Sequence, residues 1–188
     1  MFTTRLALQA LSMCLLVVSG AASQAALTVY TTRASFLAAV ASPGVDTYAD
    51  LPFNGDADLP APLARNAGAF AYTATTDSNG FYGAGMVDNP SLSTVQSLAP
   101  IVLSGFSPSI RAIGANLYNT DLDGLFTVGD LTVTATDSTG AVVTQVVTAN
   151  SADSFLASSP TPTREFPCWS SPRSISSSIP ACFPRSTT

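Results

Sequence analysis

The motif whose spacing best suits a metal ion is Asn119-x-Asp121-x-Asp123-Gly124, which continues to Thr127 and Asp130. Counted as a twelve-residue calcium loop, it puts side-chain oxygens at positions 1, 3, 5, 9 and 12. Gly124 falls at position 6, where the chain must turn sharply, and apolar Phe126 falls at position 8. Calcium takes six to eight oxygens, and this spacing can wrap them round one point. The pattern departs from a full calcium loop in two ligands: the first is Asn rather than Asp, and the last is Asp rather than a bidentate Glu. Its flanks also read as strands rather than helices. The same residues are ordinary turn formers, so an acidic hairpin loop is the alternative.

A second candidate is Asn79-Gly80-Phe81-Tyr82-Gly83-Ala84-Gly85. It could present Tyr82 to a sugar ring, or it could be a tight strand with core aromatics and close backbone approach. No Lys follows at phosphate-loop spacing, so it does not cradle phosphate. Catalytic equipment is sparse. The chain has no His, which removes Ser-His-Asp and Cys-His arrangements and His-ligated zinc. It has no Lys either, which removes Schiff-base chemistry. What remains are Asp pairs, Asp56 with Asp58 and Asp121 with Asp123, which could in principle run glycoside hydrolysis.

The elements that must hold these residues read as strands. Leu27-Thr28-Val29-Tyr30 is β-branched and aromatic. Thr32 then caps a short helix over residues 33–40, with Phe36, Leu37 and Val40 on one face, and Pro43-Gly44 ends it. Further strands are expected over residues 45–51, 69–75, 80–87, 99–103, 110–118, 126–136 and 142–148. Leu131-Thr132-Val133-Thr134-Ala135-Thr136 alternates apolar and polar side chains, as a half-buried strand does. Asp137-Ser138-Thr139-Gly140 is a turn joining it to the next strand as a hairpin. Many short strands at turn spacing predict a mainly β protein, a β-sandwich or jelly-roll-like fold with one short N-terminal helix.

The start of the chain has a different grammar. One Arg within Met1-Phe2-Thr3-Thr4-Arg5 precedes an apolar run, and small residues around Ser23-Gln24-Ala25 follow. That order marks residues 1–25 as a secretory signal peptide with cleavage before Ala26. Gln9 interrupts the apolar run, and the stretch left uninterrupted is too short for a span of about twenty residues. No stable membrane span is therefore expected after cleavage. Between residues 27 and 156 there are eleven Asp, no Glu and three Arg. So acidic a surface repels phosphate backbones and argues against nucleic acid. This stretch contains no Cys, which excludes a disulfide scaffold and a thiolate metal site there.

Residues 27–39, Leu-Thr-Val-Tyr-Thr-Thr-Arg-Ala-Ser-Phe-Leu-Ala-Ala, resemble the mature N-terminus of exported bacterial proteins of the PEP-CTERM type. Ala112-Ile113-Gly114-Ala115-Asn116-Leu117-Tyr118, the hairpin around residues 137–140, and Ser154-Phe155-Leu156 resemble their later strands. The resemblance covers residues 26–156. It implies a β-rich exported domain associated with the envelope or exopolysaccharide matrix. The Pro-Glu-Pro motif, apolar span and basic cluster that mark this type do not occur in these 188 residues.

Composition changes after Leu156. Residues 157–188 hold nine Ser and six Pro, with the only Trp and the only Glu. One reading is a disordered Ser/Pro-rich tail. The other is a frameshift, because Ser codons displaced by one base can encode Phe, Leu, Ile or Val. The second reading predicts a sandwich left incomplete at its C-terminus, with an open apolar edge. The expected organisation is a signal peptide over 1–25, a β-sandwich over 26–156 and this tail over 157–188. The expected function is that of a non-enzymatic protein, secreted or held at the cell envelope, with polysaccharide or envelope components as partners. A carbohydrate-binding module is the alternative, and an Asp-based glycoside hydrolase the third reading.

Overall fold

The computed structural model describes residues 27–52, 58–86, 89–96, 98–121, 125–160, 168–171 and 182–183. The protein is mainly β, with one short helix. In chain order the elements are β1 (Leu27–Tyr30), α1 (Arg33–Ala39), β2 (Leu63–Ala67), β3 (Phe70–Thr75), β4 (Phe81–Met86) and β5 (Asn89–Thr94). They continue with β6 (Ile101–Ser104), β7 (Ala112–Asn116), β8 (Asn119–Thr120), β9 (Phe126–Thr127) and β10 (Gly129–Thr136). Four strands complete the order: β11 (Val142–Ala149), β12 (Phe155–Pro160), β13 (Cys168–Ser171) and β14 (Cys182–Phe183).

Two antiparallel sheets enclose the main core. One has the order β1-β12-β7-β14, the other β11-β10-β13-β6-β3-β2. Ile113, Ala115 and Leu156 of the first sheet share a buried cluster with Tyr72, Ala74, Leu103, Leu131, Val133 and Ala135 of the second. Strand residues of one parity meet in the middle while their neighbours face out, which is the physics of a sandwich. A hairpin of β4 and β5 adds Phe81 and Leu92 to the same core.

The helix begins as its sequence requires. Thr32 Oγ1 accepts from Ser35 N at 3.2 Å, satisfying one of the first-turn donors. Phe36 is its buried residue and packs with Ala112, Phe155 and Ala157 on the outer side of β7 and β12. Leu37, expected on the same face, is exposed, since a seven-residue helix of about two turns presents only Phe36 squarely to the sheet. Gly114 makes room here: a Cβ there would stand 2.8 Å from the Phe155 ring and 3.1 Å from the Phe36 ring.

One expectation needs correction. Residues 45–51 are not a strand. Asp46 Oδ1 accepts from Tyr48 N at 3.1 Å, and Tyr48 takes a φ of 55°. That left-handed residue turns the chain back, and Leu51 N then donates to Tyr48 O.

The boundary at residue 156 runs through β12. Ala157, Ser158 and Ser159 are almost fully buried between β1 and β7. Backbone pairing does not depend on apolar side chains, and Ala and Ser are small enough to sit under a helix or in a core. Farther on, β13 lies between β10 and β6 in the larger sheet, and β14 pairs with β7 in the smaller. The described parts of the tail therefore supply strands to both sheets. The signal peptide over 1–25 lies outside the described residues.

Candidate functional site

The calcium-loop residues occupy a hairpin. In register, Asn119 faces Thr127 and Thr120 faces Phe126, so β8 and β9 bring positions 1 and 9 of the loop together across a ladder. Asp121 caps the turn: its N donates to Leu125 O at 2.9 Å and its Oδ1 accepts from Leu125 N at 2.9 Å. Asp130 lies in β10, where its Oδ1 accepts from Thr148 Oγ1 of β11 at 2.8 Å. Two of the proposed carboxylates thus serve neighbouring backbone and hydroxyl donors. Asp123 lies outside the described residues. Among the described residues no group of three or more His, Cys, Asp or Glu stands close enough to hold a metal ion.

The Gly-rich run forms β4. Phe81 is fully buried, Tyr82 is half-buried, and the glycines allow close backbone approach. A Cβ on Gly83 would stand 2.4 Å from Pro52 O, and one on Gly80 would stand 2.4 Å from Leu59 O. Of the paired acids considered for hydrolysis, Asp58 is exposed, while Asp56 and Asp123 lie outside the described residues.

The cluster with real electrostatic structure is elsewhere. Arg65 occupies a core-facing position of β2, directly opposite Tyr72 of β3. Its guanidinium meets the irregular segment before β2. Nε donates to Asp46 Oδ2 at 2.9 Å and Nη2 to Asp46 Oδ1 at 2.6 Å, a bidentate pair. Nη1 and Nη2 also donate to the two oxygens of Asp50, each at 2.8 Å. Tyr72 Oη donates to Asp46 Oδ2 at 2.7 Å, and the hydroxyls of Tyr48 and Tyr72 lie 2.9 Å apart. The guanidinium carbon sits 5.0 Å from the centre of the Tyr48 ring, a cation–π contact.

Burial and charge explain why the cluster exists. The Arg65 side chain is 8% exposed and that of Asp46 3%, so neither charge could stand there alone. Asp50, at 70%, lies at the rim. Hydrogen bonds from Arg65 hold the Asp50 carboxyl below its usual range, against the opposing effect of burial. Burial disfavours the charged guanidinium, but its bonds to Asp46 and Asp50 more than offset it, and Arg65 stays cationic. Burial first, then the neighbouring Tyr48 and Asp46, push the Tyr72 phenol well above its ordinary range, so it remains a donor. An open depression of about 330 Å³ lies over the cluster, between Thr47, Asp50 and Asn66.

Chemically this is a clasp. Glycoside hydrolysis needs one protonated and one ionised carboxyl flanking a substrate. Here both carboxylates bind one guanidinium. None of these five residues was a sequence candidate. The available signal was thin: Arg65 is one of only three cations among eleven Asp in residues 27–156. A scan of protein-family models, a search of curated proteins and a search of solved structures each returned no match. Among the described residues no helix is long and apolar enough to cross a membrane.

Proposed function

We propose that this is a non-enzymatic exported protein of the cell envelope or exopolysaccharide matrix. The observation that carries the reading is the Arg65 clasp. The buried cluster of ionisable side chains spends its guanidinium on two carboxylates and holds the segment before β2 to the sheet. It leaves no general acid facing the depression, because Asp50 stays ionised beside Arg65. The absence of His and Lys from the whole sequence supports the same reading. Export rests on the signal grammar of residues 1–25 and on the resemblance of residues 26–156 to PEP-CTERM-type proteins.

The test is expression in an exporting bacterial host, followed by fractionation and N-terminal sequencing. The expected result is protein in the envelope or matrix fraction with an N-terminus near Ala26. Full-length protein confined to the cytoplasm refutes export. Turnover of a glycoside that is lost in Asp→Asn variants refutes the non-enzymatic reading. Saturable binding of the purified protein to a defined polysaccharide, weakened by Tyr82→Ala, would instead favour a carbohydrate-binding module.

A further inference from the structure

The larger sheet treats its two ends differently. At one end, β2 is guarded. A Cβ on Gly44 would lie 2.0 Å from Ala67 O, so the preceding segment runs directly along β2. The Arg65 ion pairs fasten that segment there, with the charge pointing inward. A covering segment and an inward charge are two of the known devices that keep an edge strand from pairing with another chain.

At the other end, none of these devices guards β11 among the described residues. It is the last strand in the order of the described strands, bonded to β10 along its full length. Its sequence, Val-Val-Thr-Gln-Val-Val-Thr-Ala, contains no charge, no Pro and no Gly. Its burial alternates without a break, so no bulge bends it away. Val142 and Val146 are 61% and 63% exposed on its outer side, an unusual placement for β-branched apolar residues. The smaller sheet offers no equivalent, since its end strands β1 and β14 have four and two residues.

We infer that β11 is a strand-pairing surface and that its partner is β11 of a second copy of this chain. Two observations select that partner. The strand carries no charge within a protein of net charge −5, so it is where two like-charged copies meet with least repulsion. It is also self-complementary. An antiparallel pair centred on Gln145 sets Val143 against Val147 of the other copy on the core side. On the outer side it sets Val142 against Thr148 and Thr144 against Val146. Both copies keep their core faces on one side, so two six-stranded sheets join into one around a two-fold axis. A partner recognised through charge would find no counter-charge on this strand. The pairing is a concentration-dependent equilibrium, because one strand edge buries less surface than a standard stable interface.

The test is sedimentation velocity of the purified chain from micromolar to near-millimolar concentration. The parent, Val142→Lys/Val146→Lys, and a charge-matched control, Leu98→Lys/Val128→Lys, are compared. Leu98 and Val128 are 66% and 70% exposed and lie outside β11, so the control carries the same added charge elsewhere. Both substituted pairs are solvent-facing, and circular dichroism melting confirms that each variant is folded. The expected result is a monomer–dimer equilibrium in the parent and the control. In the β11 variant, the ammonium groups at position 146 of the two copies stand close to the two-fold axis and those at 142 lie farther along the seam, and the association constant falls about tenfold or more. A parent that stays monomeric overturns the proposal, as does a β11 variant that dimerises like the parent, or equal loss in both variants. None of these outcomes touches the assignment of function, which rests on the clasp and the export signal.

Discussion

Replacing Arg65 by Met removes the cation from the clasp while keeping most of its volume. Asp46 is then a carboxylate 3% exposed with no counter-charge. Breaking a buried pair from one side costs about 3–5 kcal/mol, because the remaining charge stays desolvated. Two donors remain for Asp46, Tyr72 Oη at 2.7 Å and Tyr48 N at 3.1 Å, which places the cost near the lower end. The exposed partner Asp50 adds little. A loss of about 3 kcal/mol corresponds to a fall of about 6–12 °C in Tm for a domain of this size. Thermal and urea unfolding followed by circular dichroism measure it. The double variant Asp46→Asn/Arg65→Met, which removes the stranded charge as well, is expected to recover about 1–2 kcal/mol. The acid limb gives a second readout. Arg65 holds the Asp50 carboxyl below its ordinary value of 3.8. That contribution is fully present above 3.8 and is lost as pH falls through the folded value, so it is missing from the variant at every pH. A loss under about 1 kcal/mol, or a double variant no more stable than the single, would refute the reasoning.

Three further outcomes are expected. Gly44→Ala would drive a Cβ to within 2.0 Å of Ala67 O, so the segment must leave β2; a large Tm loss together with faster proteolysis within residues 42–52 is the expected result, and a parent-like melt contradicts it. Ser158 Oγ is buried with no hydrogen-bond partner among the described residues, so Ser158→Ala should raise stability by about 1 kcal/mol in urea unfolding, and a decrease would show an unseen partner. Millimolar calcium against chelator should leave Tm unchanged, since Asp121 and Asp130 already accept from Leu125 N and Thr148 Oγ1; a rise that disappears in Asp121→Ala would restore the calcium loop.

Much of the architecture is legible from local pattern alone. The alternation of residues 131–136 places Leu131, Val133 and Ala135 inside, and β10 does so. Thr32 caps α1, and Asp137 closes the turn to β11 by accepting from Thr139 N and Ala141 N. Those features are local: periodicity, a hydroxyl beside a first-turn N–H, and a carboxylate two and four residues from its donors. The elements that pattern misses are decided by distant partners. β2 reads Leu-Ala-Arg-Asn-Ala, and β5 contains Pro and Ser, neither with strand alternation. Arg65 can occupy a core position because Asp46, nineteen residues away, and Asp50 meet it there, and the segment that carries both acids is a turn rather than a strand. In the same way, Ser158 is buried between Val29 of β1 and Ile113 of β7, and Ser159 beside Thr28 of β1. A charged side chain in a core is stable once hydrogen-bond partners from elsewhere in the chain surround it, and a Ser-rich segment joins a sheet once neighbouring strands pair with its backbone. Sequence determines which residues can accept such partners, and only the tertiary structure determines which of them do.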